Sequence, residues 1–327
     1  MVTKGISVIL CCYNSSLRLH KTLKHLAQQN FIEKIQWEII IVNNASTDNT
    51  EEIAKSIWST HKIPISLSVV YEAVPGIIYA RRRGLNVARY EYIVFCDDDN
   101  WLKSDYLQYA YNLLEIMPDV GAIGGQGMVV TDGILPEWWD TWQNGYGVGK
   151  QAENSGDITD KGYIWGAGFV SRKNVLDKVF NPNYPFILTG RKGELITSGD
   201  DSEICYRIIL LGWKLYFDEN LCYHHFIPKE RLTDQYREEL QKSFESTDDI
   251  SEKYKLSIEY GQISFVVKNY YLLKRITALI ISHFSERKIL LFKMFILFAF
   301  GIRTFQDKDS WLIYCFMKQK SLYPSNL

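Results

Sequence analysis

The stretch Tyr92-Ile93-Val94-Phe95-Cys96-Asp97-Asp98-Asp99-Asn100 sets the frame for the whole chain. Five apolar or aromatic residues run directly into three carboxylates. An apolar run of this length reads as a parallel strand buried on both faces, so the acids stand where that strand leaves its sheet. In open α/β sheets, ligands bind in the crevice beyond the carboxyl ends of the strands. Three adjacent acids repel one another, and a nearby cation relieves that repulsion. Oxygen ligands suit Mg2+ or Mn2+. The alternative is a solvated loop whose last acid caps a helix beginning near Leu102. The apolarity of the preceding strand favours the metal.

Working outward, the same grammar repeats. Gly5 to Cys12 is a first strand, followed by the turn Tyr13-Asn14-Ser15-Ser16 and a helix face at Leu19, Leu23 and Leu26. Trp37 to Val42 is a second strand ending in the polar turn Asn43 to Asp48, after which Asp48, Glu51 and Glu52 favour a helix start. Ile65 to Tyr71 is a third strand. Pro75-Gly76 breaks the chain before a helix through Ala88. Beyond the acids, the pattern predicts a helix from Leu102 to Met117 and a strand within Val120–Val130. Helices follow near Asn174–Val179 and over Asp201–Leu211, the latter with Glu203 and Arg207 at i,i+4. Lys214–Asp218 and Leu221–Phe226 read as two short strands. Strands alternating with helices at this spacing indicate βαβ units and a mostly parallel sheet flanked by helices. From Thr131 to Tyr163 periodicity lapses. That segment holds Trp138, Trp139 and Trp142, which could stack on a sugar or form a local apolar cluster.

Composition bounds the function classes. The 327 residues carry a net charge of −1, unevenly spread. Residues 251–327 hold 12 Lys/Arg against 5 Asp/Glu, whereas residues 1–250 hold 25 against 33. A basic tail on an acidic body suggests an anionic surface as partner. The six cysteines include no Cys-x-x-Cys pair, which fits a reducing cytosol and argues against a zinc ribbon or disulfide scaffold. A strand entered by Ile6 leaves the expectation of no signal peptide. No Gly-x-Gly-x-x-Gly follows a strand, and neither a phosphate-binding Gly-x-x-x-x-Gly-Lys loop nor a Gly-x-Ser-x-Gly elbow is present.

Several stretches together resemble family 2 glycosyltransferases of the GT-A fold. Val8-Ile9-Leu10-Cys11-Cys12-Tyr13-Asn14 is similar to the family's opening strand and turn. Ile40-Ile41-Val42-Asn43-Asn44-Ala45-Ser46-Thr47-Asp48 is similar to its second strand and Ser-Thr-Asp turn. Ala80-Arg81-Arg82-Arg83-Gly84 resembles its Ala-Arg-Asn-x-Gly helix, and Phe95 to Asp99 its Asp-x-Asp strand. Trp165-Gly166-Ala167-Gly168 and Gly199-Asp200-Asp201-Ser202-Glu203 resemble its acceptor-side elements. The likeness covers roughly residues 5–231.

The resemblance implies a metal-dependent, inverting transfer from a nucleotide-sugar donor, by default a uridine one. Asp97, Asp99 and His225 would hold Mn2+ or Mg2+. His224 and His225 face opposite ways on a strand, so only one can reach the site. Tyr13, Asn14, Asn43, Asp48, Arg81, Asp97, Asp98 and Arg231 would line the donor, with Asp98 supporting the turn. Trp165, Gly166 and Ala167 would meet the acceptor. Asp201 would be the general base beside Asp200, and its place at a helix start favours the ionised form. Asn43 departs from the family, which usually carries an acid there to read uracil. Asn can also accept from a ring N–H, and it adds donors.

The chain thus divides into a GT-A, Rossmann-like catalytic domain over 1–240 and a helical region over 241–327. The tail is apolar over Ser264–Phe284 and Ile289–Ile302, and the latter run of 14 residues is short of the about 20 needed to span a bilayer. It reads either as a hairpin packed on the body or as a monotopic hairpin meeting anionic lipid. The partners implied are a nucleotide sugar, a glycan or lipid-linked acceptor and a membrane surface, without nucleic acid. The location implied is cytoplasmic, on the inner face of the membrane. Alternatives are a sugar-phosphate nucleotidyltransferase and a non-catalytic sugar-nucleotide-binding scaffold.

Overall fold

The computed structural model describes residues 3–193, 195–261 and 308–319. The chain forms two compact units, Met1–Ser251 and Glu252–Leu327. The first therefore takes in the helix Asp234–Glu245, which the sequence reading divided at residue 240. The apolar tail runs Ser264–Phe284 and Ile289–Ile302 lie outside the described residues. Among the described residues no helix is long and apolar enough to cross a membrane.

The first unit opens with β1 (Thr3–Cys12), α1 (Leu19–Ala27), β2 (Trp37–Asn44), α2 (Thr50–His61), β3 (Leu67–Glu72), α3 (Ile77–Val87) and β4 (Tyr90–Asp97). The strands pair in parallel in the order β3-β2-β1-β4, with Ile9 opposite both Ile40 and Phe95. Val8, Ile9 and Leu10 are wholly buried, as a strand covered on both faces requires. Leu19, Leu23, Leu26 and Trp58 of α1 and α2 pack on Val8, Leu10, Ile39 and Val94. On the opposite face α3 approaches closely because residue 84 is glycine. A Cβ there would stand 2.4 Å from the Ile9 side chain.

The rest of the sheet is mixed. After β5 (Asn100–Leu102) and α4 (Tyr106–Ile116) come β6 (Val120–Thr131), α5 (Trp139–Trp142), β7 (Gly156–Asp157), β8 (Phe169–Arg172), α6 (Lys173–Val179), α7 (Asp200–Leu210), β9 (Lys214–Ile227), α8 (Asp234–Glu245) and α9 (Asp248–Gly261). β8 inserts antiparallel between β4 and β6. β9 runs parallel to β6 and antiparallel to β5 and β7. The full order is β3-β2-β1-β4-β8-β6-β9-β5. This is the α/β sheet flanked by helices that the sequence implies.

Two expected elements differ. The helix after the acids starts at Tyr106 rather than Leu102, because Asn100–Leu102 pairs with Tyr223–His225 and Lys103 N–H donates to the Cys222 carbonyl. The two short strands at 214–218 and 221–226 are one strand, β9. Its register against β6 shifts at Gly124–Gln126, and the Asp218 carboxylate accepts the Asn220 N–H inside the bulge.

Candidate active site

β2, β1 and β4 pair in parallel, so their carboxyl ends lie side by side at one edge of the sheet, and the acid turn between β4 and β5 lies at that edge. Asn100, wholly buried, shapes that turn: its Oδ1 accepts the Asp97 N–H at 3.3 Å and its Nδ2 donates to Asp99 Oδ1 at 3.2 Å. The three acids then diverge. Asp98 Oδ2 accepts Nε and Nη2 of Arg18 at 3.0 and 2.7 Å. Asp99 lies 3.5 Å from His225 Nε2 and 3.4 Å from Arg231 Nη1. Burial works against the charged form of Asp99, but His225 and Arg231 outweigh it and hold the carboxyl well below its usual range. Asp97 goes the other way. Burial pushes it up to about 6, with Arg81 opposing and Asp99 adding to the rise. On β9, His225 faces the acids while His224 stands 6.3 Å from the His25 ring, as strand alternation requires.

Arg81 links this cluster to a second one. It is buried, its guanidinium lies 5.2 Å above the Phe95 ring, and its Nη1 donates to Asp200 Oδ2 at 2.5 Å. The charges of Asp200, Asp97 and Asp201 all act on it. Arg81 is thus engaged in an internal ion pair that ties α3 to the start of α7. Its neighbours Arg82 and Arg83 line a separate cavity of about 460 Å³ with Glu72, Asn86 and Asp177.

Asp201 begins α7. Its Oδ2 accepts the Gly166 N–H at 3.2 Å and its Oδ1 the Ser202 N–H at 2.8 Å. Gly166 is tight for a reason: a Cβ there would stand 2.6 Å from Arg81 Nη2. The helix start was expected to keep Asp201 ionised. Burial and the charge of Asp200 instead push it up to about 6, outweighing Arg81 and the two backbone N–H groups. Two residues further along α7, Glu203 accepts the Ile187 and Leu188 N–H groups and pairs with Arg207 at 2.7 Å. Arg207 also donates to the carbonyls of Val179, Tyr184 and Pro185.

The turns after β1 and β2 brace each other. Asn14 adopts a left-handed conformation (φ 48°), and its Oδ1 accepts the Thr47 N–H at 2.8 Å. Asn43 Oδ1 accepts the Ser46 N–H at 3.1 Å. Asp48 accepts from Ser16 N–H and from the backbone and hydroxyl of Thr50, so its carboxylate joins the two turns and caps α2. Tyr13 contributes its carbonyl to Arg18 at 3.2 Å. On the far side, Trp165 and Ala167 are buried, and Trp165 N–H donates to Gln151 Oε1. Trp139 is buried too. Trp138 stacks on Tyr146 and Trp142 on Phe244 of α8, so this segment is a local apolar cluster that seats α8. Arg18 was not singled out from the sequence, because its partner lies 80 positions away and no local pattern marks it.

A model of glycosyl transferase family 2 matches residues 7–180, more than half of the chain. The protein belongs to glycosyl transferase family 2. It is 34% identical over 122 residues to the poly-beta-1,6-N-acetyl-D-glucosamine synthase of Staphylococcus epidermidis, a match covering 37% of this chain and 28% of that protein. It is 32% identical over 126 residues to glycosyltransferase GlyA of Streptococcus pneumoniae, covering 38% of this chain and 17% of that one. The chain thus spans less than a third of these relatives. The family 2 sheet and helices also superpose on S. aureus TarS 1-349 with a TM-score of 0.51 at 17% identity, covering 79% of this chain and 72% of that one.

Whether this family member's acids suit a metal can be judged from the donor set. Among the described residues no three His, Cys, Asp or Glu side chains stand close enough to hold an ion as they are. The chemistry is nevertheless suitable: Asp97 and Asp99 offer oxygen, and His225 offers nitrogen. His225 Nδ1 is buried without a hydrogen-bond partner, so no second bond pins the ring. Asp97 has its main opposing charge, Arg81, already given to Asp200.

Proposed function

We propose that the protein transfers a sugar, with inversion, from a nucleotide-sugar donor to a hydroxyl of a glycan or lipid-linked acceptor in surface polysaccharide synthesis. The observation that carries this reading is that Asp97, at the carboxyl end of β4, and Asp201, in the first turn of α7, stand on either side of one buried arginine, Arg81, and burial pushes both carboxyls up. The donor would lie over the acid turn, and the acceptor over Asp201 and Gly166. The acceptor oxygen bonds to the anomeric carbon as the carbon–oxygen bond to the diphosphate breaks. The acceptor proton passes to Asp201, and the bonding pair leaves with the nucleoside diphosphate. A base whose value lies near working pH suits this task.

Asp97, Asp99 and His225 would hold a Mn2+ or Mg2+ ion, which supplies positive charge where the leaving diphosphate gains negative charge. Arg231, on the rim and 34% exposed, would add to it. A uridine donor is supported by the shared fold with TarS, which was solved in complex with UDP-GlcNAc at a TM-score of 0.50. The basic, apolar composition of residues 251–327 supports action at the inner face of a membrane.

The decisive experiment incubates the full chain with nucleotide sugars, Mn2+ and glycan acceptors and identifies the product. Release of nucleoside diphosphate supports transfer. Release of pyrophosphate would instead mark a nucleotidyltransferase, and tight donor binding without turnover a scaffold.

A further inference from the structure

We propose that Arg18 is a donor-positioning residue, which keeps the turn after β1 in register with the acid turn so that one nucleoside diphosphate can touch both. This inference rests on the nucleotide-sugar reading above and adds a residue to it.

Neighbouring strands β1 and β4 set Cys11 opposite Asp97, so the turns that follow them emerge side by side. Backbone hydrogen bonding between the strands ends there. Arg18 resumes the connection. Its Nη2 donates both to Asp98 Oδ2 at 2.7 Å and to the Tyr13 carbonyl at 3.2 Å, and its Nε adds a second bond to the same carboxylate oxygen at 3.0 Å. One turn further along α1, the Thr22 hydroxyl donates to the Asp98 carbonyl at 2.6 Å. The start of α1 thus grips the acid turn at a side chain and at the backbone.

The hydrogen bonds of Asn14 and Ser16 run away from the acids, to Ser46, Thr47 and Asp48. The Ser15 side chain also bears on Asp98, without a hydrogen bond of good geometry. Arg18 is therefore the charged side chain that carries the order of these turns across to the carboxylates. Its chemistry suits the task, because a planar guanidinium can satisfy a carboxylate and a carbonyl together whereas an ammonium is a point charge. The side chain is 38% exposed, so it is not a core fixture and its removal leaves no large void. Without it, Asp98 stays buried between Asp97 and Asp99 with its two charged hydrogen bonds gone.

The test uses the full chain, Mn2+, and titrations with uridine, cytidine and guanosine diphosphates, alongside donor kinetics and melting. Loss of charge-assisted hydrogen bonds of this kind predicts that Arg18→Met weakens diphosphate binding and raises the donor KM about tenfold. kcat at saturating donor should stay within about threefold, since Asp201 is untouched. Arg18→Lys should recover part of the affinity, and Arg18→Met on an Asp98→Asn background should add little to Asp98→Asn alone. A purely structural role would lower the melting temperature without that split between KM and kcat. If Arg18→Lys and Arg18→Met, or Arg18→Lys alone where the Met variant does not fold, bind as tightly as the wild type, the inference is overturned. A wild-type chain that binds none of the diphosphates overturns the nucleotide-sugar reading itself.

Discussion

On the proposed reading, the acceptor-side and donor-side acidic clusters are neutralised in opposite ways. On the acceptor side, Asp200 and Glu203 are paired with Arg81 and Arg207, whose side chains are 5% and 2% exposed. On the donor side, Asp98 and Asp99 are paired with Arg18 and Arg231, whose side chains are 38% and 34% exposed. A wholly buried pair cannot be exchanged without leaving a charge uncompensated, whereas a part-exposed arginine on a buried acid can be replaced by another cation at lower cost. On that reading, the contrast teaches that the base is mounted beside ion pairs whose arginines are buried, while the donor acids are held by arginines that solvent can reach.

The sharpest challenge to the acceptor-side cluster is Asp201→Asn. It should lower kcat by about 10³-fold, the scale of a lost general base, while leaving diphosphate affinity nearly unchanged. Its melting temperature should rise slightly, because a carboxyl pushed up by burial is destabilising while ionised. An active Asp201→Asn enzyme would remove the acceptor-side cluster from the chemistry.

Next in size is the difference between the two kinds of arginine. Arg207→Met leaves Glu203 buried with only part of its partners and should cost about 3–5 kcal/mol of stability. Arg231→Met strips a half-exposed partner from Asp99 and should cost about 1 kcal/mol or less. Chemical denaturation of both variants measures the gap directly. Equal losses would erase the comparison.

The pH dependence separates the clusters as well. If Asp201 is the base, as proposed, it works ionised, so kcat/KM should fall as pH drops through about 6. Stability should move oppositely for that group: its folded value is raised, so protonation from about 6 downward relieves the fold. Asp99 has a depressed folded value, so its contribution is present above the ordinary carboxylate range and is lost as pH falls below it. A rate profile flat from about pH 5 to about pH 7, one unit either side of the expected midpoint, would count against Asp201 as the base.

Much of this was readable from the chain because it is local. The apolar run ending in Asp97, the alternation of His224 and His225 and the i,i+4 pair of Glu203 and Arg207 all follow from strand or helix period. What escaped is non-local or a balance of opposing terms. Asp218 to Asn220 looks like a turn between strands, yet it is a bulge within β9, because β6 continues to pair on both sides of it. Trp138 and Trp142 stack on Tyr146 and Phe244, partners that no local pattern in the sequence marks. Arg18 meets Asp98 only through the fold. The charge of Asp201 could not be read from its helix position alone, because burial and Asp200 outweigh the helix dipole.

The smallest expected effect concerns the nucleotide base, on the donor side. A backbone N–H can only donate, so the bond from Ser46 N–H fixes which end of the Asn43 amide is oxygen. The other end, Nδ2, is a donor, and no described residue accepts from it. On the proposed reading Asn43 therefore offers a hydrogen to the base, where an acid would offer an acceptor to a ring N–H. Uracil presents such an N–H and cytosine presents a ring acceptor in its place. Asn43→Asp keeps the Ser46 bond and reverses the remaining edge. It should shift the ratio of UDP to CDP affinity toward uracil by about tenfold, the scale of one hydrogen bond exchanged. Competition titrations with the two diphosphates measure that ratio, and an unchanged ratio would mean that Asn43 shapes its turn without reading the base.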